Sequence, residues 1–228
     1  MRLVAACVVL IACDAGVPAR ARHVPRDAKV DAPADAAPPE PVGPPKAGDL
    51  ARYTADLPRD GQLAVEIETS LGTLHCALFA ETRPLTVANF VGLATGKKPW
   101  IDLAGTVQRS KPFYDGLTFH RVIPEFVIQG GDPEGRGTGG PGYRFANEIV
   151  HDGVMKAGVL GMANAGPGTN GSQFFVMEKP MESLVANFTF FGQCDELDVV
   201  KRIARVPRDG ADRPDTPVVI EHVTVMKR

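Results

Sequence analysis

One stretch limits the fold more than any other: residues 119–133, FHRVIPEFVIQGGDP, completed by MANAGPGTNGSQFF at 162–175. Read as strands, the first stretch divides at Pro124-Glu125 into TFHRVI (118–123) and FVIQG (126–130), since proline punctuates a strand. Side chains on a strand alternate faces. His120 and Val122 are therefore expected on one side, and Phe119, Arg121 and Ile123 on the other. In the next strand Val127 and Gln129 share a face opposite Ile128, and further on Gln173 and Phe175 share a face opposite Phe174 and Val176. One face of such a sheet carries a guanidinium, two carboxamides and apolar groups, while the other is apolar enough for a core. Arg and Gln buried without partners are costly. The mixed face suits an exposed groove that grips something apolar and hydrogen-bonds to it.

The surrounding sequence supplies the rest of a β domain. Residues 63–69 (LAVEIET) alternate apolar and polar, Leu71-Gly72 makes a turn, and TLHCALF follows at 73–79, which reads as a hairpin. Pro84 suits the first position of a helix through Thr95, with Gly96 as its C-terminal stop and Val87, Phe90, Val91 and Ala94 as its apolar stripe. Residues 97–117 form a longer loop holding Trp100. Further strands are expected near 118–123, 126–130, 158–162, 173–177, 189–194 and 218–226, with a second helix over about 195–204. Eight short strands and two helices that do not alternate as βαβ units predict a closed eight-stranded antiparallel barrel over residues 62–228, capped by two α-helices.

What precedes residue 62 reads differently. Residues 1–12 carry Arg2 and then an uncharged, mostly apolar run too short to span a membrane, a signal-peptide pattern. The run ends in Leu10-Ile11-Ala12-Cys13, which resembles the bacterial lipobox, where the Cys is diacylated and becomes the mature N-terminus. Residues 13–61 are rich in Pro and Ala, without periodicity, and read as a disordered tether. The expected location is the bacterial cell envelope, periplasm-facing and lipid-anchored, with the choice of inner or outer membrane open. A formal charge of −2 gives no basic field for nucleic acid, and the lipid anchor is the only expected membrane contact.

The motifs FHRVIPEFVIQGGDP, GTGG (137–140), MANAGPGTNGSQFF and FTFFGQC (188–194) resemble those of the cyclophilin family of peptidyl-prolyl cis-trans isomerases, in order and at plausible spacing, over about residues 62–228. The resemblance implies an eight-stranded barrel with a helix over each end. It makes Arg121 the catalytic arginine, with Gln129 beside it. It places Phe126, Val127, Phe175 and Leu184 in the proline pocket and Ala163, Asn164, Ala165 and Gln173 on its rim, where the backbone of Asn164 holds the substrate peptide. Gly137 and Thr138 fall on the floor of a neighbouring pocket for the residues before the proline. The sequence departs from the family pattern at three places. Val127 stands where many members have Met, Ser183 where well-known eukaryotic members have a Trp associated with cyclosporin binding, and Phe188, on the pocket's rim, where others have His or Tyr.

These residues permit one chemistry without cofactor or metal. Amide rotation has a barrier of about 18–20 kcal/mol, and X–Pro bonds interconvert over tens to hundreds of seconds. A guanidinium that meets the proline nitrogen as the amide twists binds the twisted state better than either planar one. The expected substrates are proline-containing segments of unfolded or partly folded proteins, turned over by a monomer. The alternative is a proline-binding or chaperone-like module with little turnover, and a structural envelope protein would leave the Arg121 face without a use. His75, His120, His151 and His222 are scattered singly, without metal-ligand spacing, and His120 reads as a hydrogen-bonded core residue. The glycine run at 130–142 lacks the Gly-Lys-Ser/Thr ending of a phosphate loop. Cys76 and Cys194 fall where family geometry makes proximity possible, either as a disulfide or as two buried thiols.

Overall fold

The computed structural model describes residues 39–46, 48–151 and 154–228. The signal peptide over 1–12, lipidation at Cys13 and the tether over 13–38 lie outside these residues. The elements run α1 (Asp49–Tyr53), β1 (Leu63–Thr69), β2 (Gly72–Leu78), α2 (Pro84–Ala94), β3 (Trp100–Ile101), β4 (Val107–Gln108), β5 (Phe119–Ile123), β6 (Val127–Gly130), β7 (Val159–Met162), β8 (Phe174–Met177), β9 (Phe190–Cys194), α3 (Leu197–Ala204) and β10 (Ile220–Lys227), with a 3-10 turn at Glu182–Leu184.

Eight strands form one antiparallel sheet in the order β10-β1-β2-β9-β7-β8-β6-β5. The sheet curls on itself, but the expected closure is only partial. Its two outer strands, β10 and β5, share no ladder. The seam is a single bridge, Thr118 to Val219, reinforced by Phe119 N–H to Val218 O at 3.0 Å and Ile220 N–H to Leu117 O at 2.7 Å. The two ends meet just before β5 and β10 begin, so pairing stops after one bridge.

The interior is filled from both helix ends. In α2, Pro84 occupies the first turn, where a missing N–H costs nothing. The free N–H groups of Leu85 and Thr86 donate to the Glu148 carboxylate at 3.1 and 2.7 Å, which caps the helix from a distant loop. Its residues from Thr86 to Ala94 are all buried, on every face rather than along one stripe. Phe90 is the hub: its ring stacks on Tyr114 at 4.8 Å and meets Phe174 and Phe191 at 5.5 and 5.3 Å. The amphipathic α3 buries Val199, Val200, Ile203 and Ala204. Cys76 on β2 stands opposite Cys194 on β9, and the two are joined as a disulfide.

Two further sequence expectations need correction. Residues 39–46 and 48–61 are not a tether but part of the folded unit. The Tyr53 ring drops into the core with 1% exposure. Its hydroxyl donates to Glu40 at 3.0 Å, and Arg52 pairs with Glu40 at 2.8 Å. Glu40 also faces the Lys98 ammonium at 3.8 Å, which is buried over the Tyr143 ring at 4.9 Å. Burial drives the Lys98 pKa down, and Glu40 opposes that shift. One aromatic anchor and a polar clasp therefore order a segment whose composition alone gives no core. The second correction is on β5. A bulge between Phe119 and Arg121 leaves His120 without a cross-strand partner. Phe119 is thereby turned inward beside Val122, and both are fully buried. The expected pairing of Phe119 with the Arg121 face fails for that reason.

Candidate active site

The outer face of the sheet assembles the site along one row. Arg121 on β5 is the register partner of Gln129 on β6, Gln129 of Phe175 on β8, and Phe175 of Gly161 on β7. Adjacent strands lie about 4.8 Å apart, so the guanidinium, carboxamide and ring are set side by side by backbone pairing alone. Gly161 is required here, because a Cβ would sit 2.6 Å from the tip of the Phe175 ring.

The polar groups of the row are oriented by a relay. Arg121 donates to Gln129 Oε1 at 3.5 Å, Gln129 Nε2 to Gln173 Oε1 at 3.0 Å, and Gln173 Nε2 to the Gly139 carbonyl at 2.9 Å. The Arg121 side chain stays 42% exposed. On its other side stands a residue that no sequence motif announces. The Asp212 carboxylate lies 4.0 Å from Arg121 Nε and accepts from Arg208 Nε at 3.2 Å. Asp212 has φ 63, in the left-handed region, and its carbonyl accepts from the Val122 N–H at 2.8 Å. The 206–214 loop is thus docked on β5 at the residue after the arginine.

Beside the row lies an apolar recess. Val127 and Phe175 are buried at its base with Val159, Met177 and Phe190, and Phe126, Ala163, Leu184 and Phe188 pack partly buried around them. The Phe175 ring is held edge-on by Phe188 at 5.6 Å and Phe190 at 6.3 Å. The turn that carries Phe126 is strained: Glu125 has φ 64, where Gly or Asn is usual. Its N–H donates to Glu178 at 2.9 Å, and its carboxylate pairs with Arg205 at 2.7 Å and with Lys179.

The other predicted residues gather in an adjoining groove of about 430 Å³, lined by Gln129, Gly137, Thr138, Ala163, Asn164, Ala165 and Gln173. Its floor is shaped by the Asp132 carboxylate, which accepts the backbone N–H groups of Glu134, Arg136, Gly137 and Thr138 at 2.5–3.1 Å. The glycine run is therefore an anion nest already filled by its own aspartate. The Asn164 side chain is turned away, donating to the Asn187 carbonyl at 3.0 Å and accepting from the Gly166 N–H at 3.1 Å. Its backbone is left to the groove. His120 lies beneath this floor, 6% exposed, and neither ring nitrogen has a hydrogen-bond partner among the described residues. That differs from the expected hydrogen-bonded core histidine. Burial lowers its pKa, with Asp132 acting against the shift and Arg213 and Arg121 with it.

A positive donor cluster therefore flanks an apolar recess, with a groove continuing beyond it. Comparison with known proteins agrees. The family model described as "Cyclophilin type peptidyl-prolyl cis-trans isomerase/CLD" matches residues 64–225. Peptidyl-prolyl cis-trans isomerase A of Mycobacterium tuberculosis is 49% identical over 164 residues, covering 70% of this chain and 90% of that protein. Peptidyl-prolyl cis-trans isomerase B of Streptomyces anulatus is 45% identical over 172 residues, covering 73% and 98%. Among solved structures, a Cryptosporidium parvum cyclophilin type isomerase matches with TM-score 0.63 at 29% identity, covering 74% of this chain and 99% of that one. The same protein crystallised in the presence of the dipeptide Ala-Pro matches with TM-score 0.61 at 31% identity, covering 72% and 99%. The chain belongs to the cyclophilin-type peptidyl-prolyl cis-trans isomerases.

Proposed function

We propose that this isomerase turns X–Pro bonds in exported, partly folded proteins, with Arg121 as its catalytic residue. The proline ring enters the recess formed by Phe126, Val127, Phe175, Leu184 and Phe188. Gln129 and the backbone of Asn164 hold the neighbouring carbonyls, and residues before the proline lie in the groove over Gly137 and Thr138, between Ala163, Ala165 and Gln173. As the amide twists, its lone pair returns to the proline nitrogen, which becomes a better acceptor. The Arg121 guanidinium stays protonated and offers fixed donors, so it binds this twisted state preferentially. Raising a rate of about 0.01 per second to about 1,000 per second requires roughly 7 kcal/mol. The row Arg121–Gln129–Phe175 carries the reading, because it sets a partly exposed guanidinium next to an apolar cluster at the sheet surface.

The test is exchange kinetics on an Ala-Pro peptide. Arg121→Ala is expected to lower kcat/KM by about 10²–10³ while leaving peptide binding nearly unchanged. Equal turnover in the two proteins would remove Arg121 from the reaction, and binding without acceleration in the wild type would leave a proline-binding module.

The envelope location rests on Leu10-Ile11-Ala12-Cys13 and gains support from the Cys76–Cys194 disulfide, which is typical of an oxidising compartment. Diacylation of Cys13 gives two acyl chains, enough for stable anchoring, and the isomerase acts there as a monomer. Cys13→Ser is expected to move the protein from the membrane to the soluble fraction. Unchanged membrane retention would refute the anchor.

A further inference from the structure

The β3–β4 ribbon stands at the far end of the groove, and its exposed surface is apolar without a folding reason. Trp100 pairs with Gln108 and Ile101 with Val107. Residues opposite each other across a strand pair share a face. Trp100 points inward, its indole N–H donating to the Lys111 carbonyl at 3.0 Å and its ring set edge-on to Phe113. Ile101 and Val107 form the opposite face. That face adjoins the groove at Ile101. Ile101 N–H donates to the Pro141 carbonyl at 3.1 Å. Its side chain abuts groove-lining Gly142 so closely that a Cβ there would lie 2.9 Å from it. Val107 is 43% exposed beside it, and Leu103 at the ribbon's tip is 70% exposed.

The tip is held rigid. The Asp102 carboxylate accepts from the N–H groups of Ala104 and Thr106 at 3.0 and 2.8 Å and from Gln108 Nε2 at 2.6 Å. Leu103 is thus presented outward from an ordered turn. Single exposed apolar side chains are ordinary on protein surfaces. Here they extend from Ile101, which abuts groove-lining Gly142 and pairs with Val107. Among the described residues the large exposed apolar side chains are Leu103, Val107 and Met181. Met181 sits at the opposite end, its carbonyl accepting from the N–H of recess residue Leu184 at 3.0 Å.

We infer that the β3–β4 ribbon is an extension of the substrate cleft, in which Val107 and Leu103 take apolar side chains of the client chain upstream of the residues in the groove. The occupant is an extended, unfolded polypeptide, because the path is an open groove edge and not an enclosed pocket. Client choice would then depend on apolar sequence before the proline as well as on the proline itself. This rests on the reading that the groove holds residues preceding the proline.

The test uses the intact protein and the double variant Leu103→Ser/Val107→Ser, whose sites are exposed and not part of the core. Fluorescence anisotropy follows labelled peptides with one Ala-Pro and either a Leu-Val or a Ser-Ser pair, moved stepwise through upstream positions. Wild type is expected to bind the Leu-Val series roughly tenfold tighter at its best register, on the scale of partial burial of two aliphatic side chains. The variant is expected to bind both series alike, with turnover of a minimal Ala-Pro peptide unchanged. No discrimination in wild type, or discrimination retained in the variant, overturns the inference. So does sedimentation showing that the ribbon mediates self-association while peptides are not discriminated. Binding is read independently of turnover, so a failure of Arg121 catalysis would show separately, as absent acceleration on the minimal peptide.

Discussion

The inner and outer faces of β5, β6 and β8 are made from alternate residues of the same strands, yet they have different chemistry. Inside, Phe119, Val122, Ile128, Phe174 and Val176 have 0% exposure, and aromatic edges lock the first of them to its neighbour, Phe119 to Phe174 at 6.0 Å. Outside, Arg121, Gln129, Val127 and Phe175 make a surface that is half polar, partly open and held by a side-chain hydrogen-bond relay. Core packing and the proposed site are thus divided at the level of single positions. A side chain on one face can be altered while the backbone ladder holds its neighbour on the other.

That division is tested most strongly by Phe174→Ala against Arg121→Ala. Truncating the fully buried Phe174 is expected to destabilise the fold by about 3–5 kcal/mol, read by denaturant titration, with kcat/KM preserved in the fraction that remains folded. Its counterpart, Arg121→Ala, is expected to leave the denaturation midpoint within about 0.5 kcal/mol, as for an exposed site, despite its large loss of turnover. If both variants lost stability and activity together, the two faces would be one cooperative unit.

Smaller effects sharpen the comparison. Asp212→Asn keeps the left-handed backbone accessible and the carbonyl contact to Val122. It is expected to lower kcat several-fold with KM unchanged, since the charge beside Arg121 Nε positions the guanidinium and does not touch substrate. An unaltered kcat would show the relay through Gln129 to be sufficient. Tyr53→Phe removes the hydroxyl that reaches Glu40 and is expected to cost about 1 kcal/mol without affecting turnover.

The subtlest test is pH. His120 has its folded pKa below its unfolded value of about 6.5, because burial opposes its charge, Arg213 and Arg121 reinforce that and Asp132 opposes it. Between the two values the unfolded chain holds a proton that the folded chain does not. Stability therefore falls as pH drops through about 6.5 and levels off below the folded pKa. His120→Gln is expected to flatten this limb of the stability curve. An unchanged slope would assign acid sensitivity elsewhere.

How far the sequence could be read follows from the same physics. The row of Arg121, Gln129 and Phe175 was legible because strict alternation places those residues on one face once the strands are recognised. Phe119 was not, because a bulge shifts the period at His120 and nothing in TFHRVI announces it. The order of residues 39–61 was hidden for another reason. Its cause is not local composition but Tyr53 and Glu40 finding partners in α2 and the loop after it. Asp212 acts on a residue 91 positions earlier in the chain (212 − 121), a contact no spacing pattern encodes. The partial seam between β5 and β10 likewise depends on where two ends meet in space.

The clasp at Glu40 also decides where mechanical load would enter the domain. Tension applied through Pro39 meets the contacts of Glu40 with Tyr53, Arg52 and Arg109 before it reaches β1. Those are polar contacts near the surface, individually weak, whereas β1 is stitched on both sides to β2 and β10. The stretch up to Glu40 would unpeel before the Tyr53 anchor and β1, a sacrificial slack that spares the sheet from the pull.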